Sequence, residues 1–151
     1  MAVYNGLIEK LKVTDDELAA VMGHEIAHAL REHGRERASQ ATAQGIGLAV
    51  IGAVAGVSGG ALDLSQMVLD LTFNLPNSRT HETEADRIGV ELAARAGYDP
   101  RAAITLWEKM QKAGGGQPPE FLSTHPSHDT RISDLREYAA RVMPLYQSAK
   151  R

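Results

Sequence analysis

The sequence predicts a mainly α fold with a small β remnant at the N-terminus. Thr14 is followed three residues later by Glu17, which is the spacing of a capping box that begins a helix. The pair Asp99-Pro100 puts an N-cap residue before a proline at the first helical position. Against these helix signals, only residues 3–4 (Val-Tyr) hint at a strand.

Length and composition indicate one globular domain. The chain has 151 residues, which we expect to form a single domain over positions 1–151. Hydrophobic residues make up 43% of the chain, and the net charge of −3 gives no reason to expect nucleic acid as a partner. The chain contains no cysteine, so a metal site must use histidine, aspartate and glutamate. The residues that follow Met1 include neither the basic stretch nor the long apolar stretch that is typical of a signal peptide.

The helix that begins at Thr14 is expected to run to about His33, with Gly34 placed to end it. An apolar stripe at helical spacing supports this helix: Leu18, Met22, Ile26, Ala29 and Leu30. Start and stop residues predict further helices from Arg35, from Ser78 to Gly97, from Asp99 to about Ala113, and from His128 to Val142, where Pro144 would interrupt the last one. The Gly/Pro-rich residues 114–119 predict a loop.

Residues 39–62 form an apolar, glycine-rich segment. They include no charged residue and six glycines among Ile, Leu, Val and Ala. The uninterrupted apolar part is slightly short for a membrane span. The segment predicts a buried helix with a mobile loop. The alternative is a lid that contacts lipid, which would associate the protein with a membrane surface.

The motif His24-Glu25-Ile26-Ala27-His28 is the main chemical signal of the sequence. Two histidines four residues apart lie about 40° apart on a helix, so both imidazoles can point at one metal ion. Glu25 lies about 100° from His24, where it flanks the metal and can take a proton from a water molecule there. The pattern predicts a zinc site with Glu25 as general base. The alternative is a pair of solvated surface histidines.

A third ligand is expected on the helix predicted from Ser78. Glu82 shares one helix face with small residues, which suits close packing against another helix; this face comprises Glu82, Ala85, Asp86, Gly89, Ala93 and Ala96. Glu84 lies about 200° from Glu82, which predicts a solvated surface charge. Glu82 is therefore the better ligand. Asp86 is placed to accept a hydrogen bond from a metal-bound histidine, and its alternative is an ordinary salt bridge.

These motifs together resemble a known family. The resemblance rests on five stretches of this sequence: Val-Tyr-Asn-Gly-Leu-Ile, Asp-Glu-Leu-Ala-Ala-Val-Met-Gly-His-Glu-Ile-Ala-His, Ser-Arg-Thr-His-Glu-Thr-Glu-Ala-Asp-Arg-Ile-Gly, Gly-Tyr-Asp-Pro, and Ser-Thr-His-Pro-Ser with Arg131-Ile132. They are similar to the HtpX, BepA and LoiP group, family forty-eight of the metallopeptidases, which is related to the CAAX prenyl and Oma-type proteases. The resemblance implies a zincin-like core of the gluzincin type.

Site residues follow from the resemblance by position. It implies one zinc ion per chain, bound by His24, His28 and Glu82, with Glu25 as the base. In BepA-like relatives a His-Pro histidine can fill the open zinc position, so His125 is a candidate fourth ligand or gate, although it could also be structural. The sequence offers three candidates for transition-state stabilisation, Arg79, Arg131 and His125, and for both arginines a structural ion pair is the alternative.

The function implied by the resemblance is an endopeptidase. Its substrates would be unfolded or misassembled cell-envelope proteins, and its location would be the periplasm or membrane of a bacterial cell envelope. Because only 13 residues precede Thr14, we expect the catalytic domain to be truncated on its N-terminal side. The alternative function is a non-catalytic, zinc-stabilised helical chaperone or assembly module. The sequence does not indicate the oligomeric state.

Overall fold

The computed structural model describes residues 5–57, 59–113, 125 and 130–150. The mainly α prediction is confirmed, and no strand occurs within these ranges. The predicted β remnant at residues 3–4 and the predicted loop at 114–119 lie outside them. The helices are α1 Asn5–Leu11, α2 Asp15–Leu30, α3 His33–Ala55, α4 Gly60–Leu69, a π-helical turn at Asp70–Asn74, α5 Leu75–Arg95, α6 Ala102–Ala113 and α7 Arg131–Ala149.

The predicted capping box begins α2. The Thr14 backbone N–H donates to Glu17 Oε2 at 2.8 Å, and the Glu17 N–H donates to Thr14 Oγ1 at 3.2 Å. Glu17 is buried and also accepts hydrogen bonds from Thr105 Oγ1 at 2.8 Å and Lys109 Nζ at 2.6 Å. Burial would raise the pKa of Glu17, but these hydrogen bonds lower it below its usual value. An ionised carboxylate therefore ties α2 to α6.

The first long helix ends earlier than the sequence predicts. It stops at Leu30, and Glu32 adopts a left-handed backbone conformation with φ 55° before α3 begins at His33. Gly34, the predicted end residue, lies inside α3. The end is hard to predict because glycine is the usual residue in the left-handed conformation, whereas here glutamate adopts it.

The buried face of α2 also differs from the predicted apolar stripe. Met22 is 42% exposed, Ile26 38% and Leu30 65%. The buried face consists instead of Glu17, Ala20, Val21, Gly23, His24, Ala27 and His28. On this face Gly23 allows α5 to approach closely.

The segment 39–62 is helical but not buried, so the prediction of a buried helix is wrong. Most of α3 beyond His33, and all of α4, is exposed or half-exposed; large exposed apolar side chains are Ile46, Val50, Ile51, Val54, Leu64, Met67 and Val68. By length and composition α3 could cross a membrane, a criterion that the core helix of a soluble protein or a signal sequence also meets. A hydrogen-bonded pair of amides, Gln44 and Asn74, joins α3 to the π-helical turn.

Two helices of the core approach each other closely at Gly23 on α2 and Gly89 on α5. A Cβ atom added to Gly23 would lie 2.5 Å from the Gly89 carbonyl oxygen, and one added to Gly89 would lie 2.5 Å from the His24 backbone nitrogen. The two backbones are therefore in direct contact. Ala85 and Ala93 are buried on the same face of α5, as the pattern of small residues predicts.

The last helix continues through its proline. Pro144 lies inside α7, which runs to Ala149, so the predicted interruption is wrong. Proline removes one backbone donor and leaves the Ala140 carbonyl without its helical partner. Both residues are exposed, so water can solvate this carbonyl. Leu135, Ala139 and Val142 on the opposite face pack into the core.

The contact between Gly23 and Gly89 leads to a prediction about the stability of the protein. Gly89→Ala should lower the free energy of unfolding by about 1–3 kcal/mol or more, because the added methyl group meets backbone atoms that cannot rotate away. Urea unfolding of the purified protein measures the change. Gly34→Ala is the matched control, since a Cβ atom there has no heavy atom within 4 Å. Equal losses in the two variants would refute the close contact.

Candidate metal centre

Four buried side chains converge where α2 crosses α5. They are His24, His28, Glu82 and His125, and one potential ligand atom from each lies within 4.8 Å of the others. Position 28 follows position 24 by one helical turn, so both imidazoles leave the same face of α2. The contact between Gly23 and Gly89 brings α5 close enough for Glu82, which has no exposed surface, to reach them.

The distances within this group fit the tetrahedral coordination of a metal ion. His24 Nε2 lies 3.1 Å from His28 Nε2 and 3.2 Å from His125 Nδ1. Glu82 carboxylate oxygens lie 3.4 Å from His24 Nε2, 3.3 Å from His28 Nε2 and 3.2 Å from His125 Nδ1. Ligand atoms held tetrahedrally at zinc distances of 2.0–2.1 Å are about 3.3 Å from one another. Three imidazoles and a carboxylate are also a donor set that suits zinc.

The charges in the group favour a cation. Burial would raise the pKa of Glu82, but hydrogen bonds to His125, His24 and His28 hold it far below its usual value. Burial would lower the pKa of the His24 imidazole, whereas hydrogen bonds to Asp86 and Glu82 raise it. Glu82 is thus ionised, the form in which a carboxylate binds a metal ion, whereas His24, whose pKa is raised, must be in its neutral form to bind one.

Asp86 and Arg131 support the group from behind. Asp86 Oδ1 lies 2.9 Å from His24 Nδ1, the arrangement expected for a carboxylate that orients a ligand histidine. Arg131 Nη2 donates to Asp86 Oδ1 at 2.8 Å, and Arg131 Nη1 donates to Glu82 Oε2 at 3.1 Å. The Arg131 guanidinium is buried, 3.7 Å from the centre of the Trp107 ring. This position favours the structural ion pair over a role in transition-state stabilisation.

The other candidate arginine lies on the surface. Arg79 is exposed on α5, where it lines an open cavity with Thr83 and Arg87. Among the contacts described, none joins its side chain to the buried group.

Glu25 and His125 contact each other at the exposed side of the group. His125 Nε2 lies 3.1 Å from Glu25 Oε1, while His125 Nδ1 faces the potential ligands. The hydrogen bond from His125 lowers the pKa of Glu25, so this carboxylate is ionised, and in this arrangement it is paired with His125. Burial would lower the pKa of His125, but hydrogen bonds to Glu25 and Glu82 raise it to about 9. The side chain of Glu25 is 29% exposed, so it is accessible from solvent.

His33 contacts the group directly, and Glu84, which helical periodicity assigns to the surface, reaches the group through His33. His33 Nδ1 lies 2.9 Å from His28 Nδ1, and Glu84 Oε2 lies 3.0 Å from His33 Nε2. Glu84 is therefore more than a solvated surface charge. Helical periodicity could not have indicated this, because the contact depends on the break at Glu32.

Comparison with known proteins identifies the family of the chain. The model of peptidase family M48 matches residues 1–139, and the chain belongs to this family. It is 40% identical to mitochondrial metalloendopeptidase OMA1 of Schizosaccharomyces pombe over 138 residues, covering 90% of this chain and 40% of the relative.

Two further relatives extend the comparison. The chain is 42% identical to metalloendopeptidase OMA1, mitochondrial, of Bos taurus over 159 residues, covering 97% of this chain and 30% of the relative. It is 33% identical to the beta-barrel assembly-enhancing protease of Escherichia coli K12 over 141 residues, covering 87% of this chain and 29% of the relative. The chain therefore spans between a quarter and a half of the length of these relatives. No solved structure matches it significantly.

The predicted location, a bacterial cell envelope, is wrong, because the relatives include enzymes of another compartment. Relatives that are 34–42% identical to the chain are mitochondrial enzymes from fungi, an animal and a plant. Membership of the family is therefore compatible with more than one compartment, and the motifs do not distinguish among them.

The buried group makes a prediction about metal content. Purified protein should contain about one zinc ion per chain, and His28→Ala or Glu82→Ala should lose most of it, because each removes one of the potential ligand atoms. Elemental analysis after dialysis measures the content. Glu91→Ala, a change on the same helix that removes a carboxylate paired with Arg95, should retain zinc. Full zinc content in Glu82→Ala would contradict the assignment of this ligand.

Proposed function

We propose that this chain is a zinc-dependent endopeptidase domain that hydrolyses internal peptide bonds of unfolded proteins. Residues 1–151 act as a single catalytic domain. The observation that carries the proposal is Glu25, an ionised and accessible carboxylate beside a zinc-compatible group of three imidazoles and Glu82. Membership of peptidase family M48, and relatives named as metalloendopeptidases, support the same reaction.

The proposed ligands of the zinc ion are His24, His28 and Glu82. Zinc bound by these residues would make a water molecule acidic enough to lose a proton near neutral pH and would polarise the carbonyl of the scissile bond. Glu25 would accept a proton from the water that attacks this carbonyl, and would pass it to the nitrogen of the leaving amine as the C–N bond breaks. Asp86 and Arg131 hold His24 and Glu82 in position while the proton moves.

His125 is proposed as a gate. Its Nδ1 lies among the ligand atoms, and its Nε2 contacts Glu25. One imidazole in this position would take both the fourth ligand position, where water must bind, and the carboxylate that must act as base. The arrangement therefore describes a silent enzyme, and His125 must move aside before a substrate carbonyl can approach.

The helices α3 and α4 are proposed as a lid that contacts substrate. Both helices carry large exposed apolar side chains, and residues 39–62 include no charged residue, so this part of the surface suits an unfolded polypeptide with exposed hydrophobic side chains. Contact with a lipid surface is the alternative. Liposome flotation of the purified protein distinguishes the two, because only lipid contact carries the protein with the vesicles.

A non-catalytic zinc module is the second candidate function. One observation favours it, because four protein ligands are typical of structural zinc sites. A structural site, however, does not require a carboxylate at the position of Glu25. The two functions therefore predict different results for a change of Glu25 alone.

Glu25→Gln should retain zinc and abolish proteolysis, because the amide keeps the shape of the side chain but cannot accept the proton. Cleavage of casein by the purified protein measures the loss, which should be at least about 10²-fold. Glu91→Gln serves as the matched control, with a similar half-exposed glutamate on α5. Cleavage by Glu25→Gln at the parent rate would eliminate the proposed base.

His125→Ala should raise the rate of casein cleavage, because removal of the imidazole frees both the fourth ligand position and Glu25. Zinc content should fall less than in His28→Ala, since water can take the position that His125 leaves, as in catalytic zinc sites with three protein ligands. A donor to the transition state would behave in the opposite way, and its loss would lower turnover by roughly 10²–10³-fold. A lower rate would thus assign His125 to catalysis, and an unchanged rate would reject both roles.

A further inference from the structure

His33 lies against the proposed ligand His28 because the helix breaks between them. In a continuous helix, residues five positions apart lie about 140° apart around the axis, so their side chains diverge. Here α2 ends at Leu30, Glu32 takes the left-handed conformation, and α3 begins at His33. The turn brings His33 back beneath α2, where it is 1% exposed and its Nδ1 lies 2.9 Å from His28 Nδ1.

The contact determines which nitrogen of each ring carries a proton. His28 Nε2 faces His24 and Glu82, so a metal ion there needs the Nε2 lone pair, and the proton of the neutral His28 ring belongs on Nδ1. That N–H can only donate to a lone pair on His33 Nδ1. The proton of the neutral His33 ring then belongs on Nε2, which is the nitrogen 3.0 Å from Glu84 Oε2.

Glu84 provides the charged end of this chain of hydrogen bonds. Its carboxylate accepts the His33 Nε2 proton and is paired with Arg31 Nε at 2.7 Å. The Glu84 side chain is 34% exposed, so the chain leads from the buried group to the protein surface. Each N–H in this chain of hydrogen bonds has an acceptor. The order of the bonds is compatible with only one tautomer of His28 and one of His33.

The plane of the His33 ring is fixed as well. His81 stacks on it with ring centres 4.3 Å apart and 12° between the planes. His81 Nε2 is in turn 3.2 Å from Glu36 Oε2 on α3. Rotation of His33 away from His28 would break the stacking as well as two hydrogen bonds.

The two proposed histidine ligands are thus supported in parallel ways. His24 Nδ1 contacts Asp86, which is held by Arg131. His28 Nδ1 contacts His33, which is held by Glu84. Partners that accept the free N–H of a metal-bound histidine orient the ring and strengthen its donation to the metal.

We propose that His33 and Glu84 are positioning residues for the metal centre, which fix the tautomer and orientation of His28 through a two-step hydrogen-bond relay. This inference rests on the proposed metal site. Neither residue touches the metal or the substrate in this scheme, so their effect should appear first in metal affinity.

The test compares zinc dissociation constants, measured by chelator competition, in the parent protein and four variants. His33→Phe keeps a ring that can stack on His81 but removes both hydrogen bonds, and should weaken zinc binding by about 10–100-fold. His33→Asn can restore an acceptor for the His28 N–H and should recover most of the loss. Glu84→Gln should weaken binding by about fivefold, the equivalent of one hydrogen bond. Glu91→Gln, whose side chain is equally exposed on the same helix, should leave binding unchanged.

Cobalt(II) absorption gives a second readout. In the cobalt-substituted protein His33→Phe should alter the visible spectrum, because the ring of His28 is no longer held in one orientation, and His33→Asn should restore it. Parental affinity and spectrum in a folded His33→Phe would overturn the proposal, as would an equal loss in His33→Phe and His33→Asn. If His33→Phe does not fold, the half-exposed Glu84 decides, and equal affinities in Glu84→Gln and Glu91→Gln would overturn the relay. Failure of the parent protein itself to bind zinc would refute the metal site instead.

Discussion

The direct contact between Gly23 on α2 and Gly89 on α5 is the constraint on which the site depends. A side chain at either position would meet backbone atoms at 2.5 Å. This approach places Glu82 and Asp86 from α5 within reach of His24, so that one ligand set can be assembled from two helices that meet without large side chains between them. Gly23 precedes His24 directly, so the contact and the chemistry occupy the same turn of α2. A short helix separation is therefore a requirement of the candidate site as much as of the core.

Around this crossing, the buried polar side chains form hydrogen bonds with one another in successive layers. His24, His28, His125 and Glu82 form the inner layer, and Asp86 and His33 contact its outward-facing nitrogens. Arg131 and Glu84 supply opposite charges behind them. Burying so many ionisable groups costs free energy unless each has a partner. A divalent cation at the centre would bind the lone pairs of the four side chains that converge there.

Sequence reasoning identifies the parts of this arrangement that follow from helical periodicity. The four-residue spacing of His24 and His28, and the small-residue face that includes Glu82, can be read without coordinates. The mainly α fold and the capping box at Thr14 are equally local and are confirmed. Tertiary features are not accessible in this way. The left-handed Glu32, the return of His33 to His28 and the exposure of α3 depend on how helices pack, and no local pattern specifies them.

We propose that α2 and α5 hold a single zinc ion through His24, His28 and Glu82, with His125 in the fourth position. Anomalous diffraction at the zinc edge, from crystals of the purified protein, would locate this ion. We expect one peak per chain, with these four side chains at about 2.0–2.2 Å from it. A peak bound by other residues, or well-ordered histidine side chains with no peak between them, would refute the proposed zinc site.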